Sequence, residues 1–197
     1  MDIIVIDAST DDFSPRLAAA ERARTMPFQV NAIGSVMALN RAIHGKNYVS
    51  ARNVTEMVSQ VLSKLGSQNL GRLTIWGHGT PGRQGMGAGD LSSRGGDASL
   101  GFLICLVNGH VQESSPLRRL CGKFSWDGRV DLHGCNVAQH HCGRQLLRAL
   151  CDMWQVPVRA GVNTQHSHTN DRFDGPVIEA YPRQGHNSSV HVMNPRR

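Results

Sequence analysis

The chain has 197 residues, is 40% hydrophobic and 18% charged, and carries a formal net charge of +6. That length suits one domain whose core needs no disulfide or metal staple, and the composition excludes a disordered chain. The basic residues are scattered in short pairs such as Arg118-Arg119 and Arg196-Arg197 and are not interleaved with aromatics. The charge therefore predicts a solvated basic surface, or an acidic partner, and no nucleic-acid site. Five cysteines is an odd number in a chain that is not small, which predicts reduced thiols in a cytosol-like compartment rather than a disulfide framework. The opening MDIIVID lacks a basic n-region and its apolar run is too short for a signal peptide. No apolar run is long enough to span a bilayer. The expected location is cytoplasmic, or outside the cell by a route that needs no signal peptide, with no membrane insertion.

In chain order, Ile3 to Ile6 is a β-branched block ending at Asp7 and reads as a buried parallel strand. Residues 14–25 have helical composition, with Pro15 at the first turn. Residues 36–43 are compatible with helix, and Tyr48-Val49 with a short strand. The clearest periodicity follows: Val54, Met57, Val58, Val61, Leu62 and Leu65 form one apolar stripe of a helix, and Gly66 is placed to stop it. Leu73 to Trp76 is a short strand running into Gly77-His78-Gly79. Residues 79–101 are rich in glycine and poor in large apolar side chains, which predicts a long irregular loop, mobile in the free protein and able to close over a cleft. Phe102 to Val107, Asn108-Gly109 and His110-Val111 read as a hairpin with a primed turn. Ser115-Pro116 opens a short helix. Arg129 to Leu132 is a strand ending at His133-Gly134-Cys135, and 138–154 is a helix. Residues 156–158 and 176–180 read as the last strands. The domain is expected to span 1–182, followed by a polar, loosely held tail, 183–197. Alternating strands and helices predict an α/β fold with a mainly parallel sheet of about six strands and helices on both faces.

Two places repeat one pattern, in which a short apolar strand ends and a glycine-flanked reactive side chain follows. One is Trp76-Gly77-His78-Gly79 and the other His133-Gly134-Cys135-Asn136. In parallel α/β sheets ligands bind beyond the carboxyl ends of the strands. If the two strands are neighbours, His78 and Cys135 emerge at one edge. A thiol becomes a good nucleophile at neutral pH when a base or imidazolium adjoins it. The flanking glycines let the Gly79 and Cys135 amides approach a substrate carbonyl as an oxyanion hole. Asp7 ends the first strand and can reach the same edge, where it would favour a basic substrate residue. It reads equally well as a turn or cap residue.

The order strand–His–Gly, hairpin, strand–Cys resembles the clan of cysteine peptidases that includes caspases, gingipains, clostripain, legumain and separase. The text Trp76-Gly77-His78-Gly79 followed by His133-Gly134-Cys135-Asn136-Val137-Ala138 is most similar to bacterial caspase-like domains of surface proteins and toxins. The resemblance covers residues 1–181 in element order rather than in residue identity. It implies a caspase-like three-layer fold and a thiol protease, a bacterial effector or toxin in setting, with His78 as general acid/base and Cys135 as nucleophile. It implies that His133, two residues before the nucleophile, lines the pocket for the residue before the scissile bond. It also implies a protein substrate, self-cleavage included, and no cofactor. The caspase text Gln-Ala-Cys-x-Gly is absent, so aspartate specificity does not carry over. A catalytically inactive relative that binds a partner protein has the same sequence pattern. A metal site built from His133, Cys135, His140, His141 and Cys142 is the weaker alternative, because these residues lack the tight pairs of zinc sites and straddle a helix. No metal is therefore expected. Cys105, Cys142 and Cys151 read as packing residues.

Overall fold

The computed structural model describes residues 1–7, 47–86, 103–112, 114–165, 172–182 and 189–193. The expected elements at 14–25 and 36–43 lie outside them. So does most of the glycine-rich segment, from residue 87 to its end at residue 101.

Seven strands form the main sheet: β1 (Asp2–Asp7), β2 (Tyr48–Ala51), β3 (Leu70–Trp76), β8 (Phe124–Leu132), β9 (Val158–Gly161), β10 (Val177–Tyr181) and β11 (Ser189–Met193). Their spatial order is β11-β10-β9-β8-β3-β1-β2. β2, β1, β3, β8 and β9 run parallel, whereas β10 and β11 are antiparallel to their neighbours. The fold is thus α/β with a mostly parallel sheet, as expected. The tail is a correction. Residues 189–193 are not loosely held but pair with β10, so the sheet continues beyond residue 182.

A second, antiparallel sheet joins β4 (Gly79–Thr80), β5 (Arg83–Gly85), β6 (Leu103–Val107) and β7 (His110–Val111). The start of the glycine-rich segment is therefore a hairpin and not irregular loop: Gly79 pairs with Gln84 and Thr80 with Arg83. The turn between β6 and β7 is the primed type anticipated from Asn108-Gly109, since both residues have positive φ, 50° and 80°.

Three helices are described: α1 (Val54–Leu65), α2 (Ser114–Arg118) and α3 (His140–Trp154). The side chain of Asn53 caps α1 by accepting the Glu56 N–H at 2.8 Å, and Gly66 ends the helix at φ 58°. α2 begins at Ser114, one residue before the expected cap, so Ser115 and Pro116 lie inside its first turn. Parallel register explains where the core sits. Ile3, Leu73, Val130, Val158 and Ala180 form one cross-strand row, and Val5, Ile75, Leu132, Ala160 and Ile178 the next on the same face. Both rows belong to one apolar cluster with the inner faces of α1 and α3. Trp154 Nε1 ties α3 to α2 by donating to the Leu117 carbonyl at 3.0 Å. The opposite face of the sheet is polar at its centre. Its row runs Ile4, Thr74, Asp131, Arg159, Glu179, and Thr74, Asp131 and Glu179 are all buried.

Candidate active site

Parallel pairing of β3 with β8 sets Ile75 opposite Leu132. Carried three residues further, the same register sets His78 opposite Cys135. The ladder itself reaches one residue past the strand, because the His133 N–H donates to the Ile75 carbonyl at 2.8 Å. The two glycine-flanked loops therefore leave one edge of the sheet side by side, as the sequence predicts. His78 is exposed and Cys135 half-buried.

Contact between the loops depends on glycine. A Cβ on Gly79 would lie 2.6 Å from both the backbone nitrogen and the carbonyl oxygen of Cys135, and one on Gly134 would lie 2.9 Å from the Gly79 Cα. Neither position admits a side chain without parting the loops. Gln84 of β5 locks them: it is fully buried, its Oε1 accepts the Gly134 N–H at 2.9 Å, and its Nε2 donates to the Gly85 carbonyl at 3.1 Å. The Gly85 N–H in turn donates to the His78 carbonyl at 2.7 Å. The small sheet is thus the brace that holds the histidine loop against the cysteine loop.

The sulfur has neighbours of its own. Cys135 Sγ lies 3.4 Å from the Gln165 backbone nitrogen and 3.7 Å from the Gln165 carbonyl oxygen. Asn136, the next residue, takes φ 59° and donates its N–H to the Asn163 carbonyl at 3.0 Å.

His133, expected to line the pocket for the residue before the scissile bond, is enclosed by aromatic rings. It is 2% exposed and stacked between the rings of Trp76 and Phe173, with centroids 4.2 and 4.1 Å away. Among the described residues neither ring nitrogen has a hydrogen-bond partner, nor does the buried Trp76 Nε1. Burial, opposed by Asp131 and reinforced by Arg72 and Arg159, pushes the imidazole down to about 3 from 6.5. It is neutral at physiological pH. Below it, Asp131 is fully buried and paired with Arg72 at 2.6 Å and with Arg159 at 2.5 and 3.0 Å. Burial alone would raise the Asp131 carboxyl. The hydrogen bond and charge of Arg159, together with the charge of Arg72, outweigh burial and hold the carboxyl below its ordinary range. This cluster joins β3, β8 and β9 directly beneath the candidate site.

Asp7 is the last residue of β1 and pairs with Ala51 of β2. Because β1 neighbours β3 in parallel, Asp7 ends at the same sheet edge as the two loops. The remaining thiols separate cleanly. Cys105 and Cys151 are buried, and burial raises both, Cys151 to about 12. Cys142 is exposed rather than a packing residue, which corrects the sequence reading, and Cys121 is exposed too. His140 and His141 are exposed while His133 is buried, so they do not converge. Among the described residues no three His, Cys, Asp or Glu side chains are grouped to hold a metal ion. None of the described helices is long and apolar enough to cross a membrane. A groove of about 640 Å³ lies between β2 and α1, lined by Tyr48, Ser50, Gln60 and Lys64 among others.

Sequence reasoning missed Gln84 and Gln165, whose links to the cysteine loop, at Gly134 and Cys135, are distant in the chain. A glutamine inside a strand, as Gln84 is, was the available signal, since a buried amide needs hydrogen-bond partners. The Asp131 cluster also had a signal: Arg72, Asp131 and Arg159 each interrupt an apolar strand.

A family profile described as Domain of unknown function (DUF4347) matches residues 29–170, a span that holds both His78 and Cys135. No curated protein and no solved structure matches the chain.

Proposed function

We propose that this chain, which belongs to the DUF4347 family, is a cysteine endopeptidase working through His78 and Cys135. The observation that carries the reading is the shared register. The loops after β3 and β8 leave the same edge of a parallel sheet, and Gly79 packs on the peptide that bears the nucleophile. His78, exposed on its loop, promotes thiolate formation, and Cys135 attacks the peptide carbonyl. The developing oxyanion takes the Cys135 N–H, with the Gly79 amide as second donor. The amine leaves with a proton from His78, and His78 then activates the water that hydrolyses the acyl-enzyme. His133 and Asp7 are the substrate-side residues in this reading. His133 is buried between Trp76 and Phe173, so it would shape the pocket from beneath rather than touch the substrate, and Asp7 would select a basic side chain. The substrate is a protein, self-cleavage included, and no cofactor or metal takes part. The resemblance to caspase-like domains of bacterial surface proteins and toxins supports the same reading, with action in the cytoplasm or after export without a signal peptide.

Labelling with a peptidyl electrophile that traps thiol peptidases tests this. Cys135 should react far faster than the more exposed Cys121 and Cys142, and His78→Ala should remove the advantage. Equal rates at the three thiols would overturn the peptidase reading and favour an inactive relative that binds a partner protein.

A further inference from the structure

We infer that Gln165 is a positioning residue for the Cys135 thiolate, an inference that rests on the reading of Cys135 as the nucleophile. Gln165 presents both halves of its peptide environment to the sulfur. The neutral thiol can donate to the Gln165 carbonyl at 3.7 Å, and the thiolate can accept the Gln165 N–H at 3.4 Å. A hydrogen bond from an N–H favours the charged form of a sulfur and lowers its pKa. The sulfur keeps a partner in both protonation states and need not move when it ionises.

A backbone amide in a loop points where its segment points, and the Gln165 side chain fixes that direction. Its Oε1 accepts the Asp174 N–H at 2.9 Å, while its Nε2 donates to the Asn163 carbonyl at 2.8 Å and to the Asp174 carbonyl at 3.3 Å. The same Asn163 carbonyl accepts the N–H of Asn136, the residue after the nucleophile. One primary amide thus ties three segments together: the exit from β9, the loop carrying Cys135 and the approach to β10. Gly161 makes room for it, because any side chain there would run into the Gln165 amide. This anchoring is elaborate for a half-exposed glutamine. Its evident product is a fixed N–H at the sulfur.

The test is alkylation by iodoacetamide across pH, read at each cysteine by mass spectrometry. Gln165→Met keeps the side-chain length and loses all three side-chain hydrogen bonds. Its Cys135 midpoint should rise, so that the rate at neutral pH falls about tenfold, the scale of one charge-assisted hydrogen bond. The high-pH plateau should stay unchanged, as should the exposed references Cys121 and Cys142. An unmoved midpoint, a lower plateau or a shift shared by the three thiols would overturn the inference. A second measurement needs no Gln165 variant. In the unmutated chain the Gln165 amide proton resonance should move with pH at the Cys135 midpoint, and the movement should vanish in Cys135→Ser; a resonance that ignores the titration also overturns it. Neither readout involves peptide hydrolysis. A chain that shows the shift but cleaves nothing would separate this inference from the proposed function.

Discussion

At the scale of single residues, the five cysteines give the sharpest contrast. Cys135→Ala should abolish peptidase activity, by at least about a thousandfold, and leave the fold intact. His78→Ala should be nearly as damaging, since a nucleophile and its base act as one unit. Cys151→Ala should cost roughly 1 kcal/mol of stability and spare the rate per folded molecule. Cys142→Ala should cost neither, because that thiol is exposed. Steady-state kinetics beside thermal unfolding checks all four. His133 carries a different prediction. Burial holds its folded pKa near 3, below the ordinary 6.5, so the unfolded chain takes up a proton that the folded chain refuses. Stability is then full above about pH 6.5 and drains as the pH falls toward 3. Between pH 6 and pH 4 this amounts to roughly 2 kcal/mol. His133→Phe keeps the stack between Trp76 and Phe173 but removes the titration. Denaturant unfolding at the two pH values should show the acid loss shrinking by about that amount, and an unchanged acid limb would refute the assignment.

At the scale of elements, His78 and Cys135 were legible because each follows an apolar block and sits between small residues, a local pattern. α1 was legible for the same reason: its stripe, its Asn53 cap and its Gly66 stop all lie within a few turns. Gln165 was not legible, since Asn163-Thr164-Gln165 has no period and its meaning comes from Cys135 and Asp174. The strand β11 was missed because an edge strand buries little and needs little apolar patterning; its neighbours in sequence are polar, and only pairing with β10 defines it. The loop–loop contact yields a prediction of its own. Gly79→Ala puts a methyl group within 2.6 Å of the Cys135 backbone and must move the loops apart. Peptide hydrolysis should fall about a hundredfold or more, as expected of a displaced reacting group. Iodoacetamide should still reach Cys135, so unchanged hydrolysis in a folded variant would deny the contact any catalytic role.

For the molecule as a whole, the fold class followed from alternating strand and helix patterns, while the sheet's outer limit did not. Ending the chain after Pro182 removes the five-residue ladder of β11 and leaves β10 with a bare edge. Such a truncation should lower the Tm and promote aggregation, measured by scanning calorimetry and light scattering; a Tm equal to that of the full chain would show β11 to be dispensable. The spread of thiols through the layers also gives the protein a clock. Cys151 lies fully buried on α3, between β8 and β9, which are joined by a short crossover; Cys105 is buried in the small sheet; Cys121 is exposed. The β3–β8 ladder that builds the site closes a much longer stretch of chain, and longer closures come later in folding. During refolding, brief pulses of a thiol reagent should find Cys105 and Cys151 both shielded early, since the β5–β6 and β8–β9 ladders each close a shorter stretch of chain than β3–β8 does. Throughout, Cys121 should stay reactive and mark total protein. The loops that bear His78 and Cys135 would then meet only after the β8–α3–β9 half has set, as one of the last events in the history of each molecule.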